Sequence, residues 1–251
     1  MNAREILSLI MKYGSVSPFE WLKVSVTENE IYLYSIDDGR NTLFTGILKV
    51  SAKELQGEFA IANFRLLDSL LNHPSFSNEE KSFYEISRDD KKSNPISITF
   101  KNDEGSEAVY AFSPVSMMPK IPSLKRTDCD FHFDVSKSKV DEFKSFANLY
   151  SFISKDFSID ICDGKVYFVI SSYTYRDKVR MMFSPSFRGK NIAGEIQGIV
   201  WPTTILTNIL KLSVSEDNNR VEIGVMKEGA IKITNTSDVY SFEYVIMGKT
   251  T

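Results

Sequence analysis

The chain has 251 residues, 42% of them hydrophobic and 25% charged, which excludes a disordered tail or a fibrous rod. Thirty basic residues against thirty-three acidic ones leave a net charge of −3, which excludes a uniform cationic coat but not a local basic stripe. This length allows one large domain or two smaller ones, and either buries a core without disulfide or metal staples.

In chain order, helical spacing of Ala3, Ile6, Leu7 and Ile10 predicts a first helix over residues 2–13. A hairpin follows, WLKVSV and IYLYSI around the turn TENE. TLFTGILKV and GEFAIAN read as strands, and the latter runs straight into a second helix over residues 64–73, with Leu67, Leu70 and Leu71 apolar and Pro74 as its stop. The next hairpin is FYEISR and ISITFK, with Asp89 and Asp90 in its turn. EAVYAF is a further strand. DFHFDV leads into a third helix over residues 136–152, with Ser136 as N-cap and Val140, Phe143, Ala147 and Tyr150 apolar. Its hairpin, FSIDI and KVYFVIS, turns on Asp163 and Gly164, a strong hairpin signal. KVRMMF is another strand. GEIQGIV reads as the strand that feeds a fourth helix over residues 202–212, with Pro202 in its first turn. The last hairpin is RVEIGV and AIKITN around Glu228 and Gly229. One plan, a helix and then antiparallel strands, thus recurs four times. Between the second and third units lies SPVSMMPKIPSLKRT, whose Pro114, Pro119 and Pro122 predict an extended linker without helix or central strand. The expected division is an N-terminal domain at 1–113, a linker at 114–127 and a C-terminal domain at 128–251.

Motifs for catalysis are absent. No GxxxxGKS/T phosphate loop, GxGxxG turn or GxSxG elbow occurs. His73 and His132 lack the neighbours of a zinc site, which needs about four close ligands. His73 is expected to cap carbonyls at a helix end, and His132 to face solvent or a strand neighbour. Asp37–Asp38 and Asp89–Asp90 read as solvated turns. Cys129 and Cys162 sit in apolar strand-like runs and read as buried reduced thiols. No catalytic residue, metal or cofactor is therefore expected. The amphipathic start carries Glu5 inside its apolar stretch and does not read as a signal peptide. No run of about 18 apolar residues predicts a membrane span. The expected compartment is the cytoplasm, that of the host cell if the protein is viral.

Each predicted helix has a second, polar face with a basic bias: Arg4, Ser8 and Lys12; Arg65, Ser69 and Asn72; Lys137, Asp141, Lys144 and Asn148; Thr204, Asn208 and Lys211. Lys139 lies on the third helix as well. Four such helices on a repeated sheet would line a common surface that suits a polyanion held by phosphate contacts without base reading. Few aromatics interleave with these charges, which argues against a platform for stacking single-stranded bases.

The order of elements, and the text of several, resembles the sliding clamps of T-even-like bacteriophages, similar in architecture to proliferating cell nuclear antigen. The resemblance is carried by the opening helix without a preceding strand and by three segments: EFAIANFRLLDSLL, NLYSFISKDFSIDICDGKVYFVIS and EGAIKITNTSDVYSFEYVIM. It covers essentially the whole chain as a pattern, without a signature motif. It implies an α+β fold of two similar clamp-type domains, with antiparallel sheets outside and two helices per domain on the inner face. It implies a non-enzymatic homotrimeric ring, a DNA replication processivity factor that encircles duplex DNA and tethers a DNA polymerase, loaded by an ATP-dependent clamp loader.

On that reading Arg4, Lys12, Arg65, Lys137, Lys139, Lys144 and Lys211 meet DNA phosphates. Subunits join through Glu107, Val109, Tyr110 and Phe112 of one chain and Lys178, Arg180 and Met182 of the next. Val115, Met117, Met118, Ile121 and Leu124 of the linker, beside Val245, Ile246 and Met247 of the last strand, offer an apolar docking patch. The alternative is a non-enzymatic structural or binding protein built of duplicated β-sheet domains, which needs no basic bias.

Overall fold

The computed structural model describes residues 2–16, 18–77, 81–90, 93–120, 128–171, 177–215 and 220–250. The chain forms two compact units, Met1–Asp38 with Phe44–Pro122, and Gly39–Leu43 with Ser123–Thr251.

The first unit opens with α1 (Ala3–Gly14), entered through a capping box. The Glu5 N–H donates to Asn2 Oδ1 at 2.9 Å, and the Asn2 N–H to Glu5 Oε2 at 2.8 Å. Ala3, Ile6, Leu7 and Ile10 are buried, as their spacing requires. Strands β1 (Leu22–Val26), β2 (Ile31–Ile36), most of β3 (Thr42–Leu48) and β4 (Gly57–Ile61) follow, ordered β4-β1-β2-β3. Helix α2 (Phe64–Leu71) is capped by Asn63, whose side chain accepts from the Leu66 N–H, and it buries Leu67 and Leu71. A single turn, α3 (Pro74–Ser77), leads to an antiparallel sheet of β5 (Ser82–Arg88), β6 (Pro95–Asn102) and β7 (Glu107–Ala111), in that order.

The second unit repeats the plan. Its elements are β8 (Phe131–Asp134), α4 (Lys137–Leu149), β9 (Asp156–Cys162), β10 (Lys165–Ser171), β11 (Lys178–Ser184), β12 (Arg188–Gly189), β13 (Ile199–Pro202), α5 (Thr203–Ser213), β14 (Arg220–Val225), β15 (Ala230–Thr236), β16 (Tyr240–Met247) and β17 (Lys249–Thr250). They form two antiparallel sheets, β12-β8-β14-β15-β16 and β11-β10-β9-β13-β17. The β9–β10 hairpin closes on Asp163 and Gly164, both at positive φ (51° and 71°), as a two-residue turn matched to strand twist demands. Phe143 of α4 packs edge-on against Phe157 and Phe168, with centroids 5.3 and 5.2 Å away, and Phe168 stacks on Phe183 at 4.0 Å. This aromatic cluster ties the helix to the sheet beneath it.

Several details differ from the sequence expectation. GEIQGIV is not a strand throughout: residues 193–198 are turns, Gly198 sits at φ 78°, and β13 begins only at Ile199. Pro202 ends β13 and stands as the N-cap of α5, one position earlier than a first-turn proline. Ser136 holds the N-cap position of α4, but its hydroxyl caps no backbone N–H and instead lies 3.3 Å from the Ser138 hydroxyl; the helix ends at Leu149 and leaves Phe152 in the turn beyond. The start of the linker forms one 3-10 turn, Val115–Met117, in which the Met117 N–H donates to Pro114 O at 3.0 Å. The expectation of no helix in the linker is corrected there, because a proline just before a turn removes no bond that the turn needs. Both cysteines are free thiols, and each is half-buried rather than buried.

Candidate nucleic-acid interface

Seven basic and four acidic side chains lie on the helices, a net charge of +3 on a chain whose total is −3. The helices are therefore net positive, the strands are also slightly positive, and the negative charge of the chain lies in the segments that connect these elements. The second unit contributes more: Lys137, Lys139, Lys144 and Lys211, against Arg4, Lys12 and Arg65 from the first.

These seven are not equivalent. Arg65, Lys137 and Lys211 are exposed and Lys144 is half-exposed, and none makes an ion pair among the described residues. Lys12 is exposed at the end of α1, with its ammonium 5.3 Å from the Tyr13 ring centroid. Lys139 is bound to Glu142 at 2.6 Å, one turn along α4, and so is locally neutralised. Arg4 departs furthest from a free phosphate contact. Its guanidinium donates to the carbonyls of Leu71 and Phe76, at the end of α2 and in α3. It supplies donors to carbonyls that a helix end leaves orphaned, a role in folding the first unit.

Both strands expected to meet a neighbouring subunit are outermost in their sheets: β7 in β5-β6-β7, and β11 in the five-stranded sheet of the second unit. Tyr110 and Phe112, however, point into the core of the first unit, at 2% and 6% exposure. Burial raises the Tyr110 phenol above its ordinary pKa, and its oxygen accepts from the Asn63 N–H at 3.2 Å. What β7 presents outward is Glu107, Val109 and Ala111. On β11 the outward row is Lys178, Arg180 and Met182. Sequence reasoning missed three exposed apolar side chains on the helices behind these edges: Leu66 of α2, Leu149 at the end of α4, and Phe152 just beyond it, 82% exposed. Helix α2 packs near β7, and α4 near β11. The available signal was that Leu66, one residue before the buried Leu67, and Leu149, two after the buried Ala147, fall off the apolar stripe of their helices.

Of the expected docking residues, Met117 is 74% exposed, Val115 and Met118 are half-buried, and Ile121 and Leu124 lie outside the described residues. Val245 and Ile246 are buried on β16, where Ile246 pairs with Ile231, whereas Met247 is exposed. Ile246 is thus a core residue and offers no docking surface. A cleft of about 520 Å³ opens in the first unit beside the start of the linker, with Ile96, Phe112, Pro114 and Val115 as its apolar wall.

The histidines hold local structure. His132 Nδ1 is 2.9 Å from Glu222 Oε1 on the adjacent β14, in an exposed network with Arg188, Asp134 and Arg220. The Arg188 guanidinium, and Arg220 behind it, hold the Asp134 carboxyl below its usual range. His73 closes the end of α2 through its N–H on Leu70 O, and its ring accepts from the Ser75 N–H. Asp38 and Asp90 lie in turns. Among the described residues no group of three or more His, Cys, Asp or Glu could hold a metal ion, and no helix is long and apolar enough to cross a membrane.

No family model matches the chain, and no curated protein matches it in sequence. Solved structures do. The chain is similar to A. fulgidus PCNA, in the structure with the C-terminal region of FEN-1 bound. Identity there is 11%, coverage 100% of this chain and 97% of that one, and the TM-score 0.69. It is similar to PCNA from Thermococcus kodakaraensis at 15% identity, covering 99% and 98% with a TM-score of 0.66. It is similar to proliferating cellular nuclear antigen from Entamoeba histolytica at 10% identity, covering 98% and 96% with a TM-score of 0.66. Over its whole length the chain therefore has the fold of these antigens, an α+β architecture of clamp-type domains with antiparallel sheets.

Proposed function

We propose that the chain is a DNA sliding clamp, a non-enzymatic processivity factor that encircles duplex DNA and tethers a replicative DNA polymerase. The observation that carries this reading is the segregation of charge: net positive on the helices, net negative elsewhere, on a fold shared end to end with PCNA. Such a helical layer holds phosphates without reading bases, as a sliding protein requires. The phosphate contacts are Lys12, Arg65, Lys137, Lys144 and Lys211, with Lys139 contributing less and Arg4 committed to folding.

On this reading the chain forms a homotrimeric ring, related to the clamps of T-even-like bacteriophages and working in a host cytoplasm. Its domains are residues 1–113 and 128–251, joined by the linker at 114–127. Outermost strands β7 and β11 of successive copies pair, because unpaired sheet edges seek partners. Leu66 behind one edge and Leu149 with Phe152 behind the other supply apolar contact. An ATP-dependent loader opens the ring. Polymerase or loader docks at the start of the linker, where exposed Met117 adjoins the Ile96 cleft; that the fold takes a partner segment is supported by the A. fulgidus protein, which has the C-terminal region of FEN-1 bound.

Native mass in solution tests the ring. Three copies of the 28.6 kDa chain per particle are expected, and a strictly monomeric protein at high concentration would overturn it.

A further inference from the structure

One strand of the second unit has no counterpart among the described residues of the first. In the second unit β8 precedes α4 and lies along β14, the strand that follows α5. In the first unit β5 follows α2 and α3 and likewise opens an antiparallel run of three strands, yet it is outermost in its sheet. Among the described residues the backbone of Phe83–Ser87 pairs only with β6. Burial marks the difference. β14 buries four of its six residues, and β5 none of its seven. Phe83 stands 54% exposed on this edge. Beside it a cavity of about 350 Å³ is lined by Phe76, Phe83, Tyr84 and Phe100, with Glu54 among its polar residues. A bare edge of this length, carrying a large apolar side chain, is open to another strand, and folded proteins usually blunt or cover such edges.

We propose that the β5 edge takes, as an added antiparallel strand, an extended segment of a partner protein with bulky apolar side chains at every second residue. The second unit supplies the template. There β8 sets Phe131, His132, Phe133 and Asp134 against Val225, Gly224, Ile223 and Glu222. Its Phe131 and Phe133 are buried, and its His132 and Asp134 are not. A guest with the same alternation pairs its backbone with the open groups of β5 and turns an apolar side chain into the cavity, so main-chain bonds give affinity and the cavity gives selectivity. A second copy of this chain is a poorer guest. The half-buried row of β5 is Ser82, Tyr84, Ile86 and Arg88, which lacks the two phenylalanines of β8. Tyr84 is already held by Glu54, and Arg88 by the carbonyls of Glu54 and Gln56. The proposal stands apart from the ring reading, which native mass tests.

The probe is a capped peptide of the β8 sequence, DFHFDV, and the readout is hydrogen exchange of backbone amides in the full chain. Saturating peptide should slow exchange within Phe83–Ser87 by roughly tenfold or more and leave β14, which β8 already covers, unchanged. A peptide with both phenylalanines replaced by serine should bind at least roughly tenfold more weakly, because such anchors carry most of the affinity. Protection that falls on β7, β11 or β17 instead, or no protection at millimolar peptide, overturns the proposal. Equal binding of the serine peptide overturns the role of the cavity. Protection of Phe83–Ser87 that appears without peptide as the protein is concentrated assigns the edge to a second copy and overturns the partner strand.

Discussion

In the first unit the arginine that opens α1, Arg4, is turned onto the carbonyls of Leu71 and Phe76; in the second, Lys137 and Lys144 of α4 have no such duty and face outward without an ion pair among the described residues. The units share a plan of helices packed on antiparallel strands, but they use their cations differently. The first spends one on joining α1 to the end of α2, because α2 is short and its last carbonyls need donors. The second holds its longer helix through the aromatic cluster around Phe143 and Phe168, and Lys137 and Lys144 take no part in that packing. A repeated architecture therefore need not mean equal shares of function.

The largest expected effect strikes that cluster. Phe168→Ala removes a buried ring that touches Phe143, Phe157 and Phe183, and should destabilise the second unit by about 3–5 kcal/mol in denaturant unfolding. A smaller value would show that the cluster is not what holds α4. Next comes Arg4→Ala, which strips donors from two carbonyls and should cost about 1–3 kcal/mol while leaving the salt dependence of DNA binding unchanged. A flattened salt dependence in that variant would return Arg4 to the interface.

Smaller again are the lysines. Lys137→Ala with Lys144→Ala should lower the slope of log affinity against log salt by about 0.9 per lost contact, whereas Lys139→Ala should change it less, since Glu142 already holds that charge. Equal slopes for the pair and for Lys139 would remove the distinction. The smallest effect concerns Cys129, whose thiol burial pushes up from 9.0 to about 11. Between those values the unfolded chain releases the proton and the folded one keeps it, so stability contributed here falls as pH rises from about 9 to about 11. Alkylation of Cys129 should accordingly be slower than that of Cys162 near neutral pH, and equal rates would contradict the burial.

Much of the fold was legible because its signals are local. Alternating runs around Asp163 and Gly164, and leucines at helical spacing before Pro74, fix an element from within a dozen residues. Misreadings arose where a local pattern serves two structures. GEIQGIV alternates like a strand, but its two glycines support turns up to Ile199. The site was less legible. Arg4 looks like any helix-surface cation, and its partners lie 67 and 72 residues away. Tyr110 and Ile246 sit in strands of the right character, yet only the packed sheet tells which side of the strand faces the core. Phe152 read as the last turn of a helix that in fact stops at Leu149.

Topology is the most direct test of encirclement. The protein is bound to duplex DNA whose two ends are blocked by bulky adducts, and then washed at high salt to strip phosphate contacts. A sliding clamp should resist the wash on end-blocked duplex and leave at once when one end is cut free. Equal loss from blocked and cut duplex would contradict the account.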